Sequence, residues 1–361
     1  MCYPTAIQFA YPPTRLENIT PMFANRNQQA STGVRASMNV AIIGCSGMGR
    51  VHAQMATNCG LKIVLCADKS KQAAEELAAK YGAKAMTDGL KAAASKDIDC
   101  VLIATPTTTH LMFIEAAAAA GKHIFCEKPL CRTTADCKKA IAAAKKAKVK
   151  LFVGHVVRYF HEFEAMKAQV EAGAIGEPGY VKIYRGGLFP GGPKSWFADY
   201  KGSGGVTFDC AIHDMDWVRY VFGEPERIFC QALMKNEPLC IDYSQSNIRL
   251  KNGMIATILG TWAHPSGFQV KAEICGSGGM IQYDSKEAPV GSMLRETGSG
   301  PSMVVPSSPV AESPYQREWE DFIAWVQDNR TPRVTPEDGM MAVKMAEAAL
   351  KSNATGQPVK L

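Results

Sequence analysis

Residues 40–53, VAIIGCSGMGRVHA, set a short apolar run against glycines at Gly44, Gly47 and Gly49 and the start of a helical pattern. A strand that ends in glycines and opens a helix presents backbone N–H groups and a helix N-terminus to a pyrophosphate. A glycine-rich turn alone has a purely conformational explanation. Here the turn follows the first strand of a βαβ pattern, and Asp68 ends the second strand, KIVLCAD. An acid about 20 residues beyond the turn accepts ribose hydroxyls. The middle glycine of GxGxxG is Ser46, so the pyrophosphate cradle falls to Gly44, Ser46, Gly47, Met48 and Gly49. Asp68 repels a 2′-phosphate and selects NAD, while Lys69 and Lys71 leave some room for NADP.

Working outward, CVLIATP and KHIFCEKP repeat the strand theme, separated by alanine-rich helical stretches such as THLMFIEAAAAAG. Near-continuous apolar strands alternating with helices predict a doubly wound parallel sheet, an α/β fold of the Rossmann kind. After about Val153 the rhythm changes. RIFCQALMKN, SQSNIRLKN, MIATILGTWAH and FQVKAEICGS follow in series with short turns, which predicts a second α/β domain with a mostly antiparallel sheet. A Gly/Ser/Pro-rich loop spans 285–314, and two helices and a strand-like QPVKL close the chain. The expected organisation is an N-terminal arm over 1–37, an NAD-binding domain over 38–155 and a substrate domain over 156–361. The arm is polar and proline-bearing, and Tyr3, Phe9, Tyr11 and Phe23 are anchors suited to lying on a subunit surface.

Composition excludes several classes. The 361 residues are 47% hydrophobic and 20% charged, which is ordinary globular usage. The net charge of +6 is small, and its concentration in KKAIAAAKKAKVK carries no aromatics, so a nucleic-acid partner is not expected. Twelve cysteines are scattered without a CxxC pair, and Cys126, Cys131 and Cys137 lack metal-ligand spacing, which suits a reducing cytoplasm. No run approaches the roughly 20 apolar residues of a membrane span, and no signal-peptide pattern opens the chain.

Two further stretches carry chemistry. HIFCEKPL ends a strand with Glu127 and Lys128, at the crevice where open α/β sheets bind ligands. IATPTTTH ends the neighbouring strand and brings Thr105, Pro106 and His110 toward the nicotinamide half of the cofactor. FDCAIHDMDWVR, residues 208–219, crowds three aspartates and a histidine beside an apolar helix. Asp209 and His213 are four residues apart and so share a helix face. A metal site lacks a second ligand cluster, and caps explain the aspartates without His213. A proton-transfer pair uses both, with Asp209 orienting the imidazole and Asp214 read as a helix cap.

With GCSGMGRVHA, ATPTTTH, CEKPL, GGVTFDCAIHDMDWVRYVFG and PEDGMMAVKMAEAALKSNATGQPVKL in this order, the chain from Met38 to Leu361 resembles the Gfo/Idh/MocA oxidoreductases. The resemblance implies catalytic roles for Lys128, Asp209 and His213. It places Arg158 and Tyr159 beside the substrate, with His155 tuning specificity. It also implies an open sheet that makes subunit contacts, hence a homo-oligomer, a dimer or a multiple of it. The DxxxHDxD form is most similar to inositol and sugar dehydrogenases. The implied reaction is NAD-dependent oxidation of a secondary hydroxyl of a sugar, glycoside or polyol to a ketone, with C3 of a glucosyl ring favoured by analogy. The alternatives are an inositol dehydrogenase, a glycoside-cleaving enzyme that recycles its NAD, and a non-catalytic NAD-binding regulator, which would need none of the three site residues.

Overall fold

The computed structural model describes residues 37–192, 194–235, 241–265, 267–287 and 312–361. The expected N-terminal arm, apart from Ser37, and most of the 285–314 loop lie outside the described residues. The first half alternates β1 (Asn39–Ile43), α1 (Gly47–Asn58), β2 (Lys62–Ala67), α2 (Lys71–Tyr81), β3 (Lys84–Met86), α3 (Gly89–Ala93) and β4 (Cys100–Ile103). It continues through α4 (His110–Ala119), β5 (His123–Glu127), α5 (Thr134–Ala147) and β6 (Leu151–Gly154). All pairs are parallel, in the order β3-β2-β1-β4-β5-β6. That is the doubly wound dinucleotide-binding order, whose topological switch lies between β1 and β4. β4 and β6 are buried at every residue, as a sheet covered on both faces requires.

The second half contains α6 (His161–Glu171), β7 (Pro178–Gly186), α7 (Tyr200–Ser203) and α8 (Ile212–Phe222). β8 (Pro225–Lys235), β9 (Ile241–Leu250), β10 (Ile255–Thr261), β11 (Gln269–Gly276) and β12 (Gly279–Asp284) follow. α9 (Pro314–Asp328), α10 (Pro336–Thr355) and β13 (Val359–Lys360) complete the fold. The seven-stranded sheet runs β12-β11-β7-β10-β9-β8-β13 and is antiparallel except for the β7–β10 pair. Its inner face, with Val181, Ile183, Ile228, Ile248, Ala256, Ile258 and Ile274, is buried. α8 and α10 pack on that side. The other face carries Tyr243, Leu233 and Ile255, 41%, 49% and 42% exposed.

The last two helices return to the first half. Gly339 of α10 lets the helix approach β6, since a methyl group there would lie 3.1 Å from the Val153 side chain. α9 packs on α1, and Trp319, fully buried, stacks at 4.6 Å from Phe125 of β5. The Trp319 indole donates to His52 Nδ1 at 3.1 Å. Nδ1 therefore accepts, and Nε2–H donates to Glu127 Oε1 at 2.6 Å. This chain of bonds ties α9 through α1 to the end of β5. Trp319→Ala should cost about 3–5 kcal/mol by urea denaturation; a loss below ~1 kcal/mol would show that α9 does not close the first domain's core.

Candidate active site

The glycine turn has the geometry its sequence predicts. Gly44 has φ +95°, and a side chain there would sit 2.4 Å from the Ala104 carbonyl oxygen. A methyl group on Gly49 would lie 1.8 Å from Gly44 O. Ser46 is the N-cap of α1, and Ser46 and Gly47 are exposed. The close approaches admit no side chain at Gly44 or Gly49, as a turn that offers its backbone to a pyrophosphate requires. Asp68 accepts from Cys45 N–H and Ser70 N–H, both at 2.8 Å. Its carboxylate is thereby fixed beside the turn. Thr105 is half-buried and Pro106 exposed at the same crevice.

Two expected cofactor contacts are taken up by the protein itself. His110 is 1% exposed, and its ring nitrogens lie 2.9 Å from Thr105 O and Pro129 O. It clamps together the two loops that bound the crevice. Glu127 is equally committed, to His52 and to the Lys128 amide at 3.0 Å. The sequence could not separate these roles, because His110 opens α4 and Glu127 ends β5, both at the edge of the crevice.

Beyond β5 the chain turns through a cis Lys128–Pro129 peptide. Lys128 Nζ donates to Asp209 O at 2.7 Å and to Asp209 Oδ1 at 2.9 Å. Burial lowers an ammonium pKa, but the Asp209 and Glu127 carboxylates outweigh it and hold Lys128 above its usual value. It stays cationic. Asp209 belongs to a π-helical turn, Thr207–Ala211, that leads into α8. The wider π winding shifts the alignment expected at i, i+4, and Asp209 reaches Lys128 while His213 Nδ1 has no partner. The expected Asp209–His213 bond is therefore absent. Burial first, then the Lys128 and Arg185 cations, push the His213 pKa well below its ordinary 6.5. A neutral imidazole beside a fixed ammonium offers a proton acceptor next to a site that stabilises an oxyanion. His155, 1% exposed with both ring nitrogens unpartnered, stands edge-on to His213 with ring centroids 6.3 Å apart.

The remaining acids of the 208–219 stretch are not caps. Asp214 is fully buried and takes Arg185 of β7 in a fork, with Nη2–Oδ1 at 2.6 Å and Nε–Oδ2 at 2.9 Å. Asp216 takes Arg158 in the same way, at 2.6 and 2.7 Å. Arg158 also donates to Arg333 O at 2.8 Å and to Asp338 at 3.3 Å, and Tyr159 OH donates to Asp321 at 2.7 Å. Arg158 and Tyr159, expected beside the substrate, are thus spent on packing. Arg185 carried no signal in the sequence, since its partner lies 29 residues away. Arg185→Met should cost about 3–5 kcal/mol, because it leaves Asp214 as an unpaired buried acid. Asp214→Asn combined with Arg185→Met should recover part of that loss in the unfolding midpoint, and no recovery would refute the pairing.

Comparison with known proteins identifies the family. Residues 38–155 match the Gfo/Idh/MocA oxidoreductase-family NAD-binding Rossmann fold, and residues 167–361 match that family's C-terminal alpha/beta domain. Myo-inositol 2-dehydrogenase of Thermotoga maritima is 31% identical over 90% of this chain and 98% of its own. Inositol 2-dehydrogenase of Rhizobium meliloti is 32% identical over 90% and 99%. Among solved structures, GenD2 from gentamicin A biosynthesis, in complex with NAD, superposes with a TM-score of 0.79 at 24% identity, covering 90% of this chain and 96% of that one. That last likeness concerns the fold. The chain belongs to the Gfo/Idh/MocA family of NAD-binding oxidoreductases.

Proposed function

We propose that this enzyme oxidises a secondary ring hydroxyl of a cyclic polyol or sugar to a ketone, with His213 as proton acceptor and Lys128 beside the developing alkoxide. The observation that carries the reading is the Lys128 ammonium clasped by Asp209, four residues before the half-buried His213, whose Nδ1 has no hydrogen-bond partner. The 38–155 half binds NAD, with Gly44, Ser46, Gly47 and Gly49 cradling the pyrophosphate and Asp68 at the ribose. When bound, NAD supplies the hydride acceptor. Lys128 lowers the cost of negative charge on the substrate oxygen. His213 takes its proton. Asp209 acts through Lys128, holding the ammonium in place by two hydrogen bonds. The curated relatives bearing inositol dehydrogenase names favour a cyclitol ring, and C3 of a glucosyl ring presents the same secondary alcohol between two neighbouring hydroxyls.

A panel of inositols, glucose and glucosides with NAD tests this by the appearance of NADH. His213→Ala should lower kcat by about 10²–10⁴-fold while NAD affinity, read by fluorescence titration, stays near wild type. Lys128→Met should fall in the same range, and the double variant should lose far less than the product of the two. Because His213 must be unprotonated to act, its own ionisation should lower activity only at a pH well below 6.5. Normal turnover in His213→Ala would sink the assignment, and release of free sugar from a glucoside without net NADH would indicate cleavage with recycled cofactor.

The open face of the second sheet suits a subunit contact. Leu233 stands opposite Tyr243, and Ile255 is aligned with Tyr180 across neighbouring strands. An isologous dimer would cover this face. Leu233→Lys with Ile255→Lys should therefore halve the mass seen by light scattering, whereas a monomeric wild type at micromolar concentration would exclude the arrangement.

A further inference from the structure

The π-helical turn that carries Asp209 is not held by its own helix alone. Val206 precedes it, and the Val206 N–H donates to Asp242 Oδ2 of β9 at 2.7 Å. One residue on, Thr207 Oγ1 donates to Ser244 Oγ of the same strand at 2.8 Å. Asp242 is fully buried, and its other carboxylate oxygen, Oδ1, has no hydrogen-bond partner. Its own carbonyl accepts from Trp262 N–H at 2.9 Å, which fixes the strand at this register. Gly205 has φ +63°, and a side chain there would lie 2.7 Å from Asp242 Oδ2 and 2.9 Å from Met234 Sδ. A side chain at Gly205 would therefore crowd this carboxylate.

An acid is a costly way to satisfy one backbone amide in a buried place; a serine or asparagine would do so without a charge to desolvate. The reading that explains an acid is a function for its charge. We propose that Asp242 is a positioning residue for the proton-transfer site: its carboxylate grips the Val206 amide and so fixes the turn from which Asp209 holds Lys128. This rests on the assignment of Lys128 and His213 given above. A charge-assisted bond is roughly twice as strong as a neutral one, so the grip tightens when Asp242 ionises.

The groups around Asp242 make that ionisation fall in a useful range. Burial raises its pKa most, the Val206 N–H opposes the rise, and the Asp209 carboxylate adds to it, leaving Asp242 at about 7. Among the described residues, Asp209 is the charged group acting on it from the π turn. Tyr200 of α7 and Met234 of β8 border Gly205 from the other sides. The folded pKa of Asp242 lies above its ordinary 3.8, so the group is neutral below about 7 and charged above. His213 titrates on the other side of 6.5, well below it. The two ionisations separate on the pH axis.

The test compares wild type, Asp242→Asn and Asp242→Ala, each with a thermal melt to show that it is folded. In wild type, kcat should rise as pH passes through about 7. Asp242→Asn keeps an acceptor for Val206 but cannot ionise, so it should lack that rise and run below wild type at pH 8. Asp242→Ala should lose about 10–100-fold at every pH, the order expected for a displaced catalytic turn, and Asn should recover most of it. Native-state hydrogen exchange of the Val206 amide, corrected for intrinsic rate, gives a readout without substrate: protection should fall in the order wild type, Asn, Ala at pH 8. If wild type oxidises no polyol while this order holds, the functional reading fails and the grip stands. If Val206 protection is equal in all three, or the rise near pH 7 survives in Asp242→Asn, the proposal is wrong.

Discussion

One buried guanidinium holds the molecule's working parts together. Arg158 follows β6, is 2% exposed, and reaches Asp216 on α8, Asp338 at the start of α10 and the carbonyl of Arg333. Asp338 is also the capping-box acid of α10 and receives Arg219 of α8 at 2.7 Å. Three elements from distant parts of the chain thus meet on one fork. Burying an arginine is unfavourable unless its donors are all met, and here the planar geometry that suits carboxylates also sets the angle between α8 and the parallel sheet. The site is built on that angle.

A second buried pair sets the site's electrostatics. Arg185 and Asp214 anchor α8 to β7, and the Arg185 cation then acts on His213 in the preceding position of the helix. Together with Lys128 it keeps the imidazole neutral. Structure and proton affinity are therefore not independent here. The ion pair that fixes the helix also biases the group the helix presents, and loosening one would change the other.

The Rossmann half was legible because its cues are local. The strand-glycine-helix run, the acid ending the second strand and the alternation of apolar strands with alanine-rich helices all act within short stretches. β3, with only Lys84–Met86, and β12 offered no such run and were missed. In the site, Lys128, Asp209 and His213 do converge, but their bonding was misread. Helical spacing suggested Asp209 to His213, whereas the π turn gives Asp209 to Lys128, 81 residues away. His110, Arg158 and Tyr159 lie where ligand contacts were expected, yet each is consumed by partners that only tertiary structure supplies. Asp242 had no local signal at all, being set apart by what faces it and not by its neighbours in sequence.

Lys128 comes from one half of the chain, while Asp209 and His213 come from the other. Neither half holds the whole cluster, so a dinucleotide domain grafted from an unrelated dehydrogenase would arrive without the ammonium that Asp209 clasps. A change in either half that displaced its share would undo the clasp between Lys128 and Asp209.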